Sequence, residues 1–245
     1  MDEIRALQKM VDECGRIVFF GGAGVSTESN IPDFRSEQGL YHAKQVYGYA
    51  PEEILSHTFF VQHTETFFDY YKNNLIYPDA QPNQAHLALA YLEQQGKLKA
   101  IVTQNIDGLH QKAGSRKVYE LHGSILRNYC MDCGAAYDLD DTLDPAHCRG
   151  SIPICPQCGG IIKPDVVLYE EALDEDCMLG AIRAIEAADT LIIGGTSLAV
   201  YPAAGLIRYF RGKHLVLINK QPTPYDGKAD LVIHDAIGKV MEIEA

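Results

Sequence analysis

Ile4, Leu7, Val11 and Cys14 recur at helical spacing, and Gly15 stops the pattern, so the chain opens with an amphipathic helix. Ile17 to Phe20 is a continuous apolar run and reads as a buried strand. Residues 41 to 79 change character: Tyr47, Tyr49, Phe59, Phe60, Phe67, Phe68, Tyr70 and Tyr71 crowd together at helical intervals. Their spacing predicts an inserted helical module with a small aromatic core. Asn83 is placed to cap a helix running through Gln95, with Ala85, Leu89 and Leu92 inward and Gly96 at its end. His86 lies in that helix as a structural or supporting histidine.

Ala100 to Val102 is the next buried strand. Beyond an irregular middle, apolar runs return at Val166 to Tyr169, Leu191 to Ile193, Leu215 to Ile218 and Leu231 to Ile233. Helical patterns separate them, from the cap Asp174 to Ala187 and from Ala203 to Phe210, and a short helix follows Asp235. Strands alternating with helices predict a parallel, doubly wound α/β sheet. Gly24, Asn105, Ser197 and Asn219 each follow a strand, so they gather on one edge, where open α/β sheets bind ligands.

Composition narrows the classes. With 245 residues and 47% apolar content the chain can bury a sizeable core. It contains no apolar run of the ~18 residues that span a bilayer, and its start, Met1-Asp2-Glu3, is acidic and leads into an amphipathic segment rather than a secretory signal. A cytoplasmic protein without membrane contact is expected. Net charge is −12, from 21 basic and 33 acidic residues. That disfavours direct nucleic-acid binding, which relies on Lys and Arg, and is compatible with a cationic polypeptide partner or simply with a solvated surface.

The seven cysteines are odd in number and include Cys130-Met131-Asp132-Cys133 and Cys155-Pro156-Gln157-Cys158. Two such pairs describe a closed, structural zinc site with Cys130, Cys133, Cys155 and Cys158 as ligands. Cys148 lies between them at no knuckle spacing and reads as a free thiol. Elsewhere the residues leave alternatives open. Gly21 to Thr27 is a glycine-rich turn after a strand, suited to a phosphate, but without the third glycine of the dinucleotide fingerprint it also fits an ordinary turn. Ile31-Pro32-Asp33-Phe34-Arg35 is either a surface turn with a local ion pair or a device that meets a pyrophosphate and covers a flat ring. Gln104-Asn105-Ile106-Asp107 and Leu121-His122-Gly123 place an amide, a carboxylate and an imidazole just past strand ends, as a polar helix-capping loop or as a site.

These stretches, with Gly22-Ala23-Gly24-Val25-Ser26 and Gly195-Thr196-Ser197, stand in the order of the sirtuin family. The chain resembles a bacterial-type sirtuin from about Ile4 to the C-terminus. The resemblance implies a doubly wound parallel Rossmann-type domain (1–40, 80–127 and 164–245) with a smaller inserted domain, made of a helical module (41–79) and a zinc-ribbon module (128–163). It implies an NAD-dependent protein deacetylase: the acyl oxygen of an acylated lysine attacks C1′ of the nicotinamide ribose, nicotinamide leaves, and the acyl group ends on ADP-ribose. Mono-ADP-ribosyl transfer would share every NAD residue. Hydride transfer and a silent zinc-ribbon adaptor are the remaining alternatives.

The implied roles follow the motifs. His122 is the general base, and Asn105 and Ser26 hold ribose and water. Gln104 touches the ribose, and Asp107 with the Ile106 backbone holds the carboxamide. Ala23, Gly24, Thr27 and Arg35 take the pyrophosphate, and Phe34 shields the reacting ring. Gly195, Thr196, Ser197 and Asn219, with Asp235, Ala236 and Ile237, hold the adenosine part. Val167 and Tyr169 line the acyl-lysine side.

The chain departs from the family at Asn30 and Ser36, where glycine is common, and at Glu170, which replaces the glycine of a usual Phe-Gly-Glu. Family members that remove succinyl groups carry Tyr-x-x-Arg in the helical module. Here Phe68 and Tyr71 stand at those places, and a preference for acetyl is expected.

Overall fold

A computed structural model describes residues 2–33 and 37–242. Its strands are β1 (Ile17–Gly21), β2 (Leu98–Thr103), β3 (Val118–Glu120), β4 (Gly123–Cys130), β5 (Ala136–Tyr137), β6 (Cys148–Arg149), β7 (Ile152–Pro153), β8 (Ile162–Val166), β9 (Thr190–Gly194), β10 (His214–Ile218) and β11 (Leu231–Ile233). Its helices are α1 (Asp2–Glu13), α2 (Glu37–Tyr47), α3 (Pro51–Ile54), α4 (His57–Gln62), α5 (Thr64–Asn74), α6 (Gln84–Gln94), α7 (Leu109–Lys112), α8 (Leu139–Leu143), α9 (Glu175–Glu186) and α10 (Ile237–Val240).

Six strands form one parallel sheet in the order β11-β10-β9-β1-β2-β3. β1 and β9 are buried along their whole length, as strands covered on both faces must be. Successive side chains go to opposite faces. Ile17 and Phe19 pack with Leu7 and Val11 of α1 and Leu89 of α6, while Val18 and Phe20 pack with Ala181 and Ile185 of α9 and with Ala203 to Ile207. The chain runs outward from β1 to β3 and then restarts on the other side of β1 at β9. β1 and β9 therefore flank the topological switch point, the crevice where such sheets hold ligands.

Local capping fixes the helices as expected. The Asn83 side chain accepts from the Ala85 amide, and His86 Nδ1 accepts from the Asn83 amide, closing a box at the start of α6. Asp174 accepts from the Cys177 amide at 2.7 Å and starts α9. In the aromatic segment, Phe60, Phe67, Phe68 and Tyr71 stack edge-to-face or in parallel around a separate core, an arrangement that suits ring quadrupoles.

Two expectations are corrected. Val166 to Tyr169 does not continue the parallel sheet. The strand there is β8, which pairs antiparallel with β4 in a three-stranded sheet with β5. Ile162, Pro164 and Val166 are its buried positions, so the period of two began four residues earlier than the apolar run suggested. Val167 to Tyr169 instead leaves the strand, and Tyr169 makes a single bridge to Ser56. The segment from Ala203 is a 3-10 helix, Ala203–Tyr209, in which the Gly205 amide bonds to the Pro202 carbonyl three residues back.

Candidate active site

The turn after β1 is built from backbone contacts. The Gly24 amide donates to the Gly195 carbonyl at 2.8 Å. A Cβ on Gly24 would fall 2.7 Å from Gly195 Cα, and one on Gly195, whose φ is +59, would fall 2.4 Å from the Val25 nitrogen. The two glycine turns after β1 and β9 therefore cross with no room for side chains. The Thr27 hydroxyl closes the first turn by donating to the Gly24 carbonyl. Asn30 ends it at φ 62, a left-handed conformation that Asn tolerates. The Asn83 side chain donates to the Val25 carbonyl and the Ser29 hydroxyl, at 2.7 and 2.9 Å, and ties this turn to α6.

Past β2, three polar side chains form a chain of bonds. Asn105 Nδ2 donates to the Ser26 hydroxyl at 3.0 Å, and that hydroxyl donates to Asp107 Oδ2 at 2.6 Å. Asp107 Oδ1 accepts from the Leu109 amide at 2.9 Å. Ser26 is buried, so a hydroxyl without these partners would be costly. Gln104 donates to the Thr196 hydroxyl at 3.2 Å and joins the β2 edge to the β9 edge.

His122 follows β3. Leu121 beside it bonds to the Thr103 carbonyl, and the His122 carbonyl accepts from the Val167 amide. Gly123 completes the turn at φ +74, where a Cβ would lie 1.8 Å from the Asp165 carbonyl oxygen, so only glycine fits. His122 Nδ1 lies 2.9 Å from the Gln104 carbonyl. A carbonyl can only accept, so Nδ1 carries the proton and the lone pair is on Nε2.

A cavity of about 230 Å³ runs between these groups and the smaller sheet. Ala23, Ser26, Gln104, Asn105, Ile106, Asp107 and His122 line it together with Val167 and Tyr169, and the Val167 amide bonds directly to the His122 carbonyl. Gly24, Thr27, Gly195 and Thr196 stand in the turns next to it. Ser197 is exposed just beyond β9, and Asn219, after β10, has its side chain fixed to the Gln221 carbonyl at 2.7 Å. Asp235 accepts from the Ala236 amide and pairs with Lys239, while Ile237 is buried in the core. None of Ser197, Asn219, Asp235, Ala236 and Ile237 lines the cavity. Phe34 and Arg35 fall outside the described residues.

The cavity also takes residues that sequence reading did not single out: Asn74, Leu75 and Tyr77 from the end of α5, and Val200, Tyr201 and Pro202. Phe68 and Tyr71 do not line it. Both are buried in the aromatic core, and burial pushes the Tyr71 phenol well above its ordinary value.

The rim carries acids. Glu171 Oε1 is 3.0 Å from His57 Nδ1, and Oε2 accepts from Lys163 at 3.3 Å and from the Leu168 amide at 2.9 Å. Burial raises its pKa, but these partners more than offset that and hold it below the usual carboxylate range. Glu170, exposed and at φ 76, accepts from the Thr58 amide at 2.8 Å.

The four knuckle cysteines come together with all their sulfurs within 4.8 Å of one another. Cys130 to Cys158 is 3.4 Å and Cys133 to Cys155 is 3.7 Å. A tetrahedron of ~2.3 Å zinc–sulfur bonds has edges of about 3.8 Å, so the set fits one zinc ion. The Tyr137 hydroxyl approaches Cys155 at 3.0 Å as outer support. Cys148 is elsewhere, 3.2 Å from Lys72 Nζ on α5.

The model of the Sir2 family matches residues 22–202. This chain belongs to the Sir2 family. An NAD-dependent protein deacetylase of Clostridium acetobutylicum is 64% identical over 242 residues, covering 99% of this chain and 98% of its own. A structure described as the structural basis for the mechanism and regulation of Sir2 enzymes superposes with a TM-score of 0.87 at 39% identity, over 98% of this chain and 95% of its own. A Sir2 structure with a p53 peptide and NAD+ gives 0.85 at 36% identity, over 97% and 95%. The Sir2 relationship accounts for a parallel sheet, a glycine-rich turn and a four-cysteine cluster in one chain.

Proposed function

We propose that this chain is an NAD-dependent protein lysine deacetylase that moves the acyl group from lysine to ADP-ribose and releases nicotinamide. The observation that carries the reading is one cavity at the switch point lined by an Nδ1-anchored His122 and by the Asn105–Ser26–Asp107 chain. The residues fit NAD: the crossed glycine turns let a pyrophosphate approach the backbone, and the Asp107 carboxylate, fixed by two donors, keeps acceptor capacity for a carboxamide. When bound, NAD supplies a ribose carbon activated by its nicotinamide leaving group.

The chain's own residues do the rest. His122 Nε2 takes a proton from a ribose hydroxyl, and the carbonyl of Gln104 stabilises the imidazolium that results. Asn105 and Ser26 hold the ribose and an ordered water. Asp107 and the Ile106 amide fix the carboxamide, and Gln104 borders the ribose. Ala23, Gly24 and Thr27, with Arg35, hold the pyrophosphate, and Phe34 covers the ring. Gly195, Thr196, Ser197, Asn219, Asp235 and Ala236 hold the adenosine part, with Ile237 contributing its backbone because its side chain is in the core. Val167 and Tyr169 form the acyl-lysine wall.

The same reading divides the chain into a Rossmann-type domain (1–40, 80–127, 164–245), a helical module (41–79) and a zinc module (128–163). It places the enzyme in the cytoplasm, acting on acylated lysines of proteins and not on nucleic acid or membrane. A net charge of −12 supports a protein substrate over a polyphosphate one. The test is mass spectrometry of products from NAD and an acetyl-lysine peptide. Free lysine peptide, nicotinamide and acetyl-ADP-ribose in equal amounts are expected. ADP-ribose left on protein, or NADH formed, would overturn the reading.

A further inference from the structure

We propose that Glu170 is a specificity-determining residue that selects peptides carrying a lysine or arginine within two residues of the acyl-lysine. This rests on the deacetylase reading above. Glu170 belongs to the wall of the same cavity. That wall starts at the reacting end, because the Val167 amide bonds to the His122 carbonyl. Beyond Val167 the chain turns, with the Glu171 amide bonded to the Leu168 carbonyl, and Glu170 sits exposed on that turn at the mouth. A peptide presenting its acyl-lysine to His122 through this mouth has its flanking side chains beside Glu170.

The carboxylate is held in place. A non-glycine residue at φ 76 is uncommon, and the 2.8 Å bond from the Thr58 amide to Oε2 fixes this one against α4. The Thr58 hydroxyl and amide both donate to it, and a carboxylate with about four acceptor sites still has capacity for a cation. The charge balance then gives the sign. Among the described residues, the carboxylates lining the cavity are Asp107, Glu170 and Glu171, and no lysine or arginine lines it. Lys163 and His57 answer Glu171. Glu170 has no lysine or arginine ion-pair partner among the described residues, and His57, whose side chain is half exposed, is the cationic group nearby when protonated. A cation on the peptide completes the pair, and an acid there meets repulsion.

The test uses the full chain with three acetyl-lysine peptides, whose flanking residues are lysine, glutamine or glutamate. Because the pair is exposed, the expected KM is about two- to five-fold lower for the lysine peptide than for the glutamate peptide, with kcat alike. The ratio should shrink as salt is raised. E170Q keeps an acceptor for Thr58 without the charge and should bring the ratio close to one, and E170G, which suits the backbone angle, should do the same. Deacetylation with equal KM values in the wild type, or a ratio unchanged in both variants, overturns the inference while leaving the deacetylase reading intact. No turnover on any of the three peptides overturns both.

Discussion

The charge of the cavity sets which acyl groups it accepts. On the proposed reading, changing the acyl group from acetyl to succinyl adds a carboxylate at the end that would pass between Val167, Tyr169 and the His122 group. Among the described residues no lysine or arginine lines this space. Phe68 and Tyr71, where a Tyr-x-x-Arg pair would stand, are 1% and 2% exposed within the aromatic core, and the Tyr71 hydroxyl has no hydrogen-bond partner. Asn74 at the end of α5 and Leu75 just past it reach the cavity, neither of them charged. Leaving a carboxylate without a partner costs on the order of 2 kcal/mol or more. Asp107, which lines the same cavity, adds repulsion to that. Water at the cavity mouth screens part of both, so we take 2 kcal/mol as the surviving total, which is about thirty-fold in rate. The assay is kcat/KM on one peptide carrying acetyl- or succinyl-lysine, and at least a tenfold preference for acetyl is expected. Equal values, or a succinyl preference, would show that a cation reaches the acyl end and would refute this account of the cavity.

His122→Ala should lower kcat at least ~100-fold, the contribution typical of a general base, while the melting temperature stays within a few degrees. Turnover near that of the wild type would remove His122 from the chemistry. Cys155→Ser should lose the zinc and destabilise the smaller sheet, because metal binding and folding are coupled. Cys148→Ser, whose thiol faces Lys72, should keep one zinc per chain, and metal loss in that variant by elemental analysis would contradict the ligand set. Burial pushes His86 down to about 4 and, with repulsion from His86, His110 down to about 3, both from 6.5. Between pH 6.5 and about 4 the unfolded chain therefore binds protons that the folded chain does not, and stability falls as pH falls, by at most ~1.4 kcal/mol per pH unit for each histidine. Urea midpoints at pH 7 and pH 5 should separate in the wild type and separate less in His110→Phe. An equal separation in both would mean that His110 is not the titrating group.

The parallel sheet was legible because strands covered on both faces leave unbroken apolar runs, as Ile17 to Phe20 and Leu191 to Ile193 do, and because Asn83 and Asp174 mark helix starts by their own chemistry. The zinc set was legible because a ligand spacing is a covalent property of the chain. β4 and β8 were not, since their alternation is interrupted by the register shift between Ser124 and Asn128 and by Pro164. The apolar run from Val166 then presented itself as a strand. It is a wall instead, its backbone bonded to His122 at Val167 and to Leu55 and His57 at Tyr169.

The same distinction explains which parts of the site could be read. Ser26, Asn105, Asp107 and His122 are polar residues in the turns after β1, β2 and β3, and although Asp107 also caps the Leu109 amide, their positions and chemistry together point to a ligand. Asn74, Leu75, Tyr77 and Val200 to Pro202 carry no such contrast. They have the composition of any core edge and become a cavity wall only through contacts between segments far apart in sequence. Glu170 lies between these cases. Its identity is visible in the sequence, but its charge acquires a direction only because Lys163 is committed to Glu171 and Thr58 fixes where the carboxylate lies. Acyl selectivity and peptide selectivity then share one cause, an acidic cavity that disfavours a carboxylate on the acyl group and favours a cation beside the lysine.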